Sequence, residues 1–449
     1  MLTEVVLKGS EIVKYKILTW GCQMNIHDSE MISGILQKMG YCPADTLKES
    51  DVIILNTCCV RENAERKVYG RIAQLKQFKQ RNPNLVLAVS GCMVQQPHVV
   101  EYISEKLPYV DILFGIKNAH KLPELIENSR HVNMPVIEVV GDSDIAENLP
   151  IKRADDSKAW VTITYGCNNY CSYCIVPYVR GREKSRSPED IIREVEGLAK
   201  EGFLEINLLG QNVNSYGKDL EAPVTFPELL RKVNSIDGIE RIRFITSHPK
   251  DLSNELILAM KECKKVCEHI HLPVQAGSNR ILSKMNRKYT SEHYIDLIKK
   301  LRDAIPNIAI TTDIIVGFPG ETEEDFLDTL GLVKEVEFDS AFTFMYSKRR
   351  GTPAAEMTDQ IDDDIKKDRL DRLMQVQDVI TGNKNINLKG TIQEVLVEGI
   401  SKGNINRLSG RSRTNKLVNF DGSEELIGKF VNVKITEPHT WSLLGKIVR

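Results

Sequence analysis

The chain has 449 residues, too many for one hydrophobic core, so about three domains are expected. Hydrophobic residues make up 41% and charged residues 27%, which excludes a disordered or membrane-embedded class, and charges interrupting the first twenty positions leave no signal-peptide core, so the expected compartment is the cytoplasm. Sixty Lys or Arg against sixty-two Asp or Glu give a formal charge of -2, so nucleic acid would be met only by a local basic patch.

KYKILTWGC, DVIILNTC and NLVLAVSGC read as buried strands, followed by stretches of helical spacing such as HDSEMISGILQKM and ENAERKVYGRIAQLKQF. This βαβ alternation predicts an open parallel α/β domain over residues 14–140. Its three strands end in Cys22, Cys58 and Cys92. Ligands of open α/β sheets gather at the carboxyl ends of strands, so these side chains are expected to converge.

Residues 141–160 are polar and aperiodic and read as a connection. A second α/β domain is expected over 153–383, where WVTIT, EINLLG, RIRFIT, HIHLPVQ, IAITTDIIVGF and SAFTFMYS supply six strands separated by helical segments. Six such units predict an incomplete parallel barrel, (β/α)6. Between its first two strands lies GCNNYCSYC, followed by a helix start at SRSPED, with Ser187 as N-cap, Pro188 at the first position and Asp190 placed to close a capping box. Residues 361–380 show one helical face and lead to 386–449. There TIQEVLVEG, LSGRSRTNKLVNF, KFVNVKIT and LLGKIVR alternate with Gly-containing turns and predict a small all-β barrel. This last segment carries ten Lys or Arg against six Asp or Glu, which suits a phosphate-binding module or a solvated surface.

Ten cysteines are too sparse for a disulfide scaffold, and in a reducing compartment close spacing points to metal or redox work. Cys167, Cys171 and Cys174 share one short loop. Structural zinc would require a fourth ligand, and none follows in the loop. An iron–sulfur cube held by three thiolates leaves one iron open for chemistry, and a packed, unligated triad is the remaining alternative. Taken singly, Cys22, Cys58 and Cys92 each read as a buried thiol, but their shared position at strand ends favours ligation. Cys59, one residue on, is expected to point the other way, and Cys42, Cys263 and Cys267 match no ligand position, the last two lying four apart on an expected helix.

The CxxxCxxC loop with Tyr173 before its last cysteine resembles the signature of radical S-adenosylmethionine enzymes. TWGCQMN, NTCCVRENAE and SGCM resemble the amino-terminal domain of the methylthiotransferases, a branch of that superfamily. The likeness continues through LLGQNVNSYG, ITSHP, HLPVQAGSNRIL, TDIIVGFPGETEEDF and RRGTPAAEM, and LSGRSRTNKLVNF looks like the TRAM module, a small RNA-binding β-barrel of OB-like form. The motifs are most similar to the branch acting on isopentenylated adenosine beside the tRNA anticodon; branches acting on threonylcarbamoyl-adenosine or a ribosomal protein share the architecture. A noncatalytic iron–sulfur RNA-binding protein is the alternative from another class.

The resemblance implies two 4Fe–4S clusters, one on Cys167, Cys171 and Cys174 and an auxiliary one on Cys22, Cys58 and Cys92. It implies two molecules of S-adenosyl-L-methionine per turnover, one methylating a cluster-bound sulfur and one yielding a 5′-deoxyadenosyl radical. A sulfur source, a reductant such as flavodoxin or ferredoxin, the tRNA anticodon stem-loop as partner, no membrane contact and a monomer complete the picture. Contacts to cofactor or substrate fall on Tyr173, Gln211, Asn212, Ser247, His248, Gln275 and Arg287. Leu209, Gly210 and Gln211 stand where the superfamily often has Gly-Gly-Glu, a departure at the amino-group contact. RNA contacts fall on Lys348, Arg349 and Arg350, otherwise an exposed charged loop, and on Arg411, Arg413 and Lys416. Gly317, Pro319 and Gly320 are expected to form a strand-to-helix turn with Thr322 as cap.

Overall fold

The structure is a computed structural model that describes residues 12–59, 62–132, 134–139 and 146–448. Residues 1–11, the Val60–Arg61 pair within NTCCVRENAE and residues 141–145 of the connection lie outside the described residues. Contacts group the chain into two compact units, Met1–Ala154 with Ile175–Gly181, and Asp155–Cys174 with Arg182–Arg449.

In the first unit, strands β1 (Lys14–Thr19), β2 (Cys42–Pro43), β3 (Val52–Thr57), β4 (Val86–Gly91), β5 (Ile112–Phe114) and β6 (Val136–Glu138) form one parallel sheet in the order β2-β1-β3-β4-β5-β6. β3 and β4 are buried at every position because both faces are covered. Val52, Ile54, Val86 and Ala88 pack on one side and Ile53, Leu55, Leu87 and Val89 on the other. Each fully buried aliphatic side chain contributes about 1.5–3 kcal/mol, so this double-sided core fixes the register of the central strands. Gly91 has φ +98°, and a Cβ there would meet the Thr57 carbonyl oxygen at 2.2 Å. Only glycine lets the ends of β3 and β4 come together, where Cys92 N–H donates to Thr57 O at 2.9 Å.

In the second unit, β7 (Lys158–Thr162) precedes the cysteine loop, which is framed by the antiparallel pair β8 (Thr164–Tyr165) and β9 (Lys184–Ser185). The strands β10 (Glu205–Leu209), β11 (Arg241–Phe244), β12 (His269–His271), β13 (Ala309–Val316) and β14 (Ser340–Met345) follow. Two parallel three-stranded ladders, β7-β10-β11 and β12-β13-β14, are joined where Ile242 bridges Val266. The six strands thus run in chain order as a partial barrel, with helices packed over a shared core that includes Ile206, Ile242, Ile270 and Ile310.

The expected capping features are present with local differences. Ser187 Oγ accepts from Asp190 N–H at 3.1 Å and donates to its carboxylate at 2.7 Å. Thr322 and Asp325 close a full capping box after the turn at Gly317 and Gly320. The helix Asp363–Ile386 buries Lys366, Arg369, Leu373, Gln377, Thr381 and Asn385, so its inner stripe is polar rather than apolar. Arg369 donates to the Glu321 carboxylate at 2.7 Å and Gln377 to Phe338 O at 2.9 Å, which ties that stripe to the barrel core. Cys263 ends the helix Asn254–Glu262 and Cys267 lies in the run toward β12, so the two share no helix face.

Strands β15 (Ile392–Ser401), β16 (Asn404–Ser412), β17 (Leu417–Phe420), β18 (Phe430–Pro438) and β19 (Leu443–Val448) close a barrel in the order β15-β16-β17-β19-β18. It docks on the amino ends of the parallel strands. The fully buried Arg241, first residue of β11, donates to Glu394 Oε1 and O at 2.8 Å and to Arg411 O at 2.9 Å. Lys158, first residue of β7, pairs with Glu398 at 2.8 Å. With that end of the barrel covered, the carboxyl ends remain for chemistry. Among the described residues no helix is long and apolar enough to cross a membrane.

Candidate iron–sulfur and cofactor site

The compact cysteine loop is held by backbone and side chains distant in sequence. Asn286 Nδ2 donates to Tyr170 O at 2.9 Å, Ser172 Oγ donates to Lys284 O at 2.8 Å, and Ala354 N–H donates to Ser172 O at 2.8 Å. HLPVQAGSNRIL, with the residues that follow it, and RRGTPAAEM therefore act on the loop as clamps. Gly166 and Tyr170 take positive φ, +67° and +46°, to turn the chain. Cys167 and Cys171 are buried, and the buried Arg287 donates from Nη1 to Cys171 Sγ at 3.4 Å and from Nη2 to Pro273 O at 2.8 Å. Tyr173 packs against the apolar cluster of Ala276, Phe318 and Tyr346, and burial pushes its hydroxyl well above the ordinary range.

Around the carboxyl ends of β10, β11 and β12 lies a set of buried polar atoms with no protein partner among the described residues: Asn212 Oδ1, both amide atoms of Asn214, Ser247 Oγ, His248 Nε2 and Gln275 Oε1. Gln275 and Thr246 take φ +71°, a region costly for side chains and worst for a β-branched one. Buried polar groups in native proteins are normally satisfied, so this concentration marks room for a polar ligand. His248 Nδ1 accepts from Lys250 N–H at 3.2 Å, which leaves Nε2 to carry the proton. Burial, aided by the charge of Arg287, pulls its pKa down to about 2, so the ring is a neutral donor. Asn212 Nδ2 is spent on Asp251 at 2.7 Å, while Gln211 is half-buried. Of the residues named from sequence, Asn212, Ser247, His248 and Gln275 thus carry free acceptor or donor atoms, and Arg287 serves a cysteine.

A second group, on β12–β14, has no signal in the linear chain. His271 Nε2 lies 3.5 Å from Asp313 Oδ1, its Nδ1 is 3.0 Å from Thr311 Oγ1, and the exposed Phe342 ring meets it edge-on at 5.9 Å.

In the first unit the dispersed cysteines follow β3 and β4 and open the helix Gln23–Lys38, where Cys22 is the N-cap. Asn25 ties the strand ends together: Nδ2 donates to Asn56 Oδ1 and Thr57 O at 3.1 Å, and Cys22 Sγ donates to its Oδ1 at 3.5 Å. A Cβ on Gly21 would lie 2.9 Å from Cys58 Cβ, so these two turns abut. Cys59 does not point away: its thiol hydrogen-bonds to Cys92, a bond that with burial pushes Cys59 well up and, with the Arg180 charge, pulls Cys92 down to about 6. Arg180 Nε donates to Cys92 Sγ at 3.2 Å, and its Nη2 donates to Asp28 at 2.9 Å. The segment holding Arg180 follows Cys174 in the chain yet packs with this unit, Ile175 and Val179 lying on Cys59 and Cys92. Among the described residues no three His, Cys, Asp or Glu side chains take the spacing of a single-ion site. Thiolates at three corners of a cube stand wider apart than ligands of one ion, and a soft all-sulfur donor set suits iron–sulfur.

The candidate RNA contacts divide. Lys348 and Arg350 are exposed, and Arg349 donates to Ser347 Oγ at 2.7 Å. Arg413 is engaged by both oxygens of Glu268 at 2.8 Å, Lys416 pairs with Asp339 at 3.1 Å, and Arg411 donates to Asn415 O at 3.0 Å.

The partial barrel with its clamped cysteine loop defines a radical S-adenosylmethionine enzyme, and the profile of the Radical SAM superfamily matches residues 161–333. That class uses a 4Fe–4S cluster and S-adenosylmethionine, and the buried polar atoms beside the loop fit such a ligand. Residues 387–448 match the TRAM domain and residues 14–115 the Uncharacterized protein family UPF0004. The tRNA-2-methylthio-N(6)-dimethylallyladenosine synthase of Thermoanaerobacter sp. (strain X514) is 60% identical over 442 residues, covering 98% of this chain and 94% of its own. That of Acetivibrio thermocellus is 58% identical, covering 97% and 91%. The solved structure of the radical S-adenosylmethionine methyltransferase TsrM from Kitasatospora setae, with tryptophan substrate and SAM analog bound, shares the fold at TM-score 0.54 and 15% identity, covering 86% of this chain and 78% of that one. The chain belongs to the tRNA-2-methylthio-N(6)-dimethylallyladenosine synthase family.

Proposed function

We propose that this protein places a methylthio group on C2 of N6-isopentenyladenosine beside the tRNA anticodon, using two 4Fe–4S clusters in a cytoplasmic, monomeric enzyme. The observation that carries the reading is the occurrence of two cysteine sets at strand carboxyl ends, with unsatisfied buried polar atoms at the carboxyl ends of the same barrel as one of them. Cys167, Cys171 and Cys174 hold the radical cluster, and Cys22, Cys58 and Cys92 the auxiliary one. When bound and reduced by a one-electron donor such as flavodoxin or ferredoxin, the radical cluster supplies the electron that cleaves S-adenosylmethionine, chemistry needed because the adenine C2 hydrogen is not acidic.

The chain's own residues orient and shield. His248 offers a neutral N–H, and Ser247, Asn212 and Gln275 offer hydroxyl and carbonyl groups, a mixed set suited to an amino-acid zwitterion. Arg287 donates to the Cys171 sulfur and holds it in place. The His271–Asp313 pair and the open Phe342 face are suited to a purine, one by hydrogen bonds and the other by stacking. The tRNA backbone is met by exposed Lys348 and Arg350, with exposed Lys402, Lys434, Lys446 and Trp441 on the β-barrel. Because Arg413 and Lys416 are occupied within the chain, they contribute to RNA only through the docking they maintain.

The test is anaerobic reconstitution with an anticodon stem-loop bearing isopentenyladenosine. Formation of 2-methylthio-isopentenyladenosine with 5′-deoxyadenosine is expected; 5′-deoxyadenosine without any modified nucleoside would overturn the substrate, and neither product would overturn the chemistry.

A further inference from the structure

Among the buried groups that cofactor binding does not explain, Arg180 stands apart. The residue is 6% exposed, and its guanidinium sits in the first unit beside a thiol and a carboxylate. Nε donates to Cys92 Sγ at 3.2 Å and Nη2 to Asp28 Oδ2 at 2.9 Å, while Nη1 has no partner among the described residues. Asp28 is 1% exposed, and its second oxygen is also without a partner. A buried ion pair of this kind is poor value for stability alone, since desolvation offsets the attraction. An apolar pair of equal volume would pack as well, and it would leave no donor facing sulfur.

We propose that Arg180 is a positioning residue of the auxiliary cluster: it holds the Cys92 thiolate through Nε–H, offers Nη1–H to sulfur bound there, and is itself held in plane by Asp28. This rests on the reading that Cys22, Cys58 and Cys92 carry a 4Fe–4S cluster. N–H···S bonds and a buried cation both stabilise the more negative, reduced state of such a cluster, so Arg180 raises its midpoint potential. The same cation compensates the charge of three thiolates and anionic sulfur brought to the open iron. Arg180 lies six residues beyond Cys174 in the chain but serves the other cysteine set, so its segment belongs to the auxiliary site by packing and not by sequence order.

The experiment uses the full chain with Cys167, Cys171 and Cys174 changed to Ala, reconstituted with iron and sulfide and titrated electrochemically while the cluster is followed by electron paramagnetic resonance. The parent is expected to hold about four irons. Arg180→Gln should move the midpoint to more negative potential, and Arg180→Lys, which keeps the charge but loses the fork, should fall between. Arg369→Gln, a buried arginine of the other unit, is the control and should leave the midpoint unchanged. A parent without iron overturns the cluster reading itself. A parent with iron whose Arg180→Gln and Arg180→Lys forms share its midpoint overturns the role of Arg180 and leaves the cluster reading standing. If Arg180→Gln fails to fold, the Arg180→Lys comparison decides alone: a negative shift supports the role and an unchanged midpoint overturns it.

Discussion

The two cysteine sets are assembled by opposite routes. Cys167, Cys171 and Cys174 lie within eight residues, so the chain itself brings the sulfurs close, and the clamps from Lys284, Asn286 and Ala354 need only fix the loop's shape. Cys22, Cys58 and Cys92 span seventy-one positions and are brought to one edge of the sheet only because β1, β3 and β4 are adjacent in it. A local site tolerates loosening of its surroundings; a dispersed one is only as good as the sheet register.

The largest expected effect separates the sets by chemistry. Changing Cys22, Cys58 and Cys92 to Ala should halve the iron, from about eight to about four per chain, and abolish methylthio transfer while 5′-deoxyadenosine still forms. Cys171→Ala should abolish 5′-deoxyadenosine as well. Iron analysis and product chromatography check both, and equal loss of 5′-deoxyadenosine in the two variants would erase the distinction.

Backbone perturbation comes next. Gly91→Ala forces a Cβ against Thr57 O at a positive φ, and overpacking of this kind costs about 1–3 kcal/mol. It should lower the melting temperature and empty the auxiliary site first. Asn286→Ala removes the Tyr170 clamp, about 1 kcal/mol, and should loosen only the radical-cluster signal. Separate spectra of the two clusters read the contrast.

Acid should act through His248 more gently. Its folded pKa, about 2, lies below the ordinary 6.5, so the unfolded chain takes up the proton first. The stability it contributes is complete above pH 6.5 and declines as the pH falls from there. Denaturant melts of wild type and His248→Gln should therefore converge as the pH drops from 7 to 5; parallel curves would contradict a neutral, buried imidazole. The smallest effect is expected for Lys348→Ala with Arg350→Ala. Both are exposed, so tRNA binding should weaken and its salt dependence flatten with the melting temperature unchanged, as filter binding and calorimetry would show.

Much of this was legible in the linear chain because it is periodic or local. Two-residue alternation and buried apolar runs marked the strands of both α/β parts, and turn chemistry marked Ser187 and Thr322 as caps. LSGRSRTNKLVNF was recognisable as strand, but its break into β16 and β17 around Arg413–Lys416 was not, and the roles of those side chains were not either. A basic composition counts charges without saying which are consumed inside the molecule, and Glu268 and Asp339 consume two of them. Alternation likewise assigned Cys59 to the far side of its strand end, whereas the chain leaves the pleat after Thr57 and turns the thiol to Cys92.

The sequence by itself determined the compact triad, the succession of strands along the chain and the family, since spacing and pattern survive without knowledge of where elements pack. Tertiary structure alone decided that the buried Arg180 contacts both Cys92 and Asp28, the latter 152 residues away in the chain, and that Asn212, Ser247, His248 and Gln275 leave polar atoms unsatisfied together. Such pairings depend on which strand lies beside which, and no local preference encodes that.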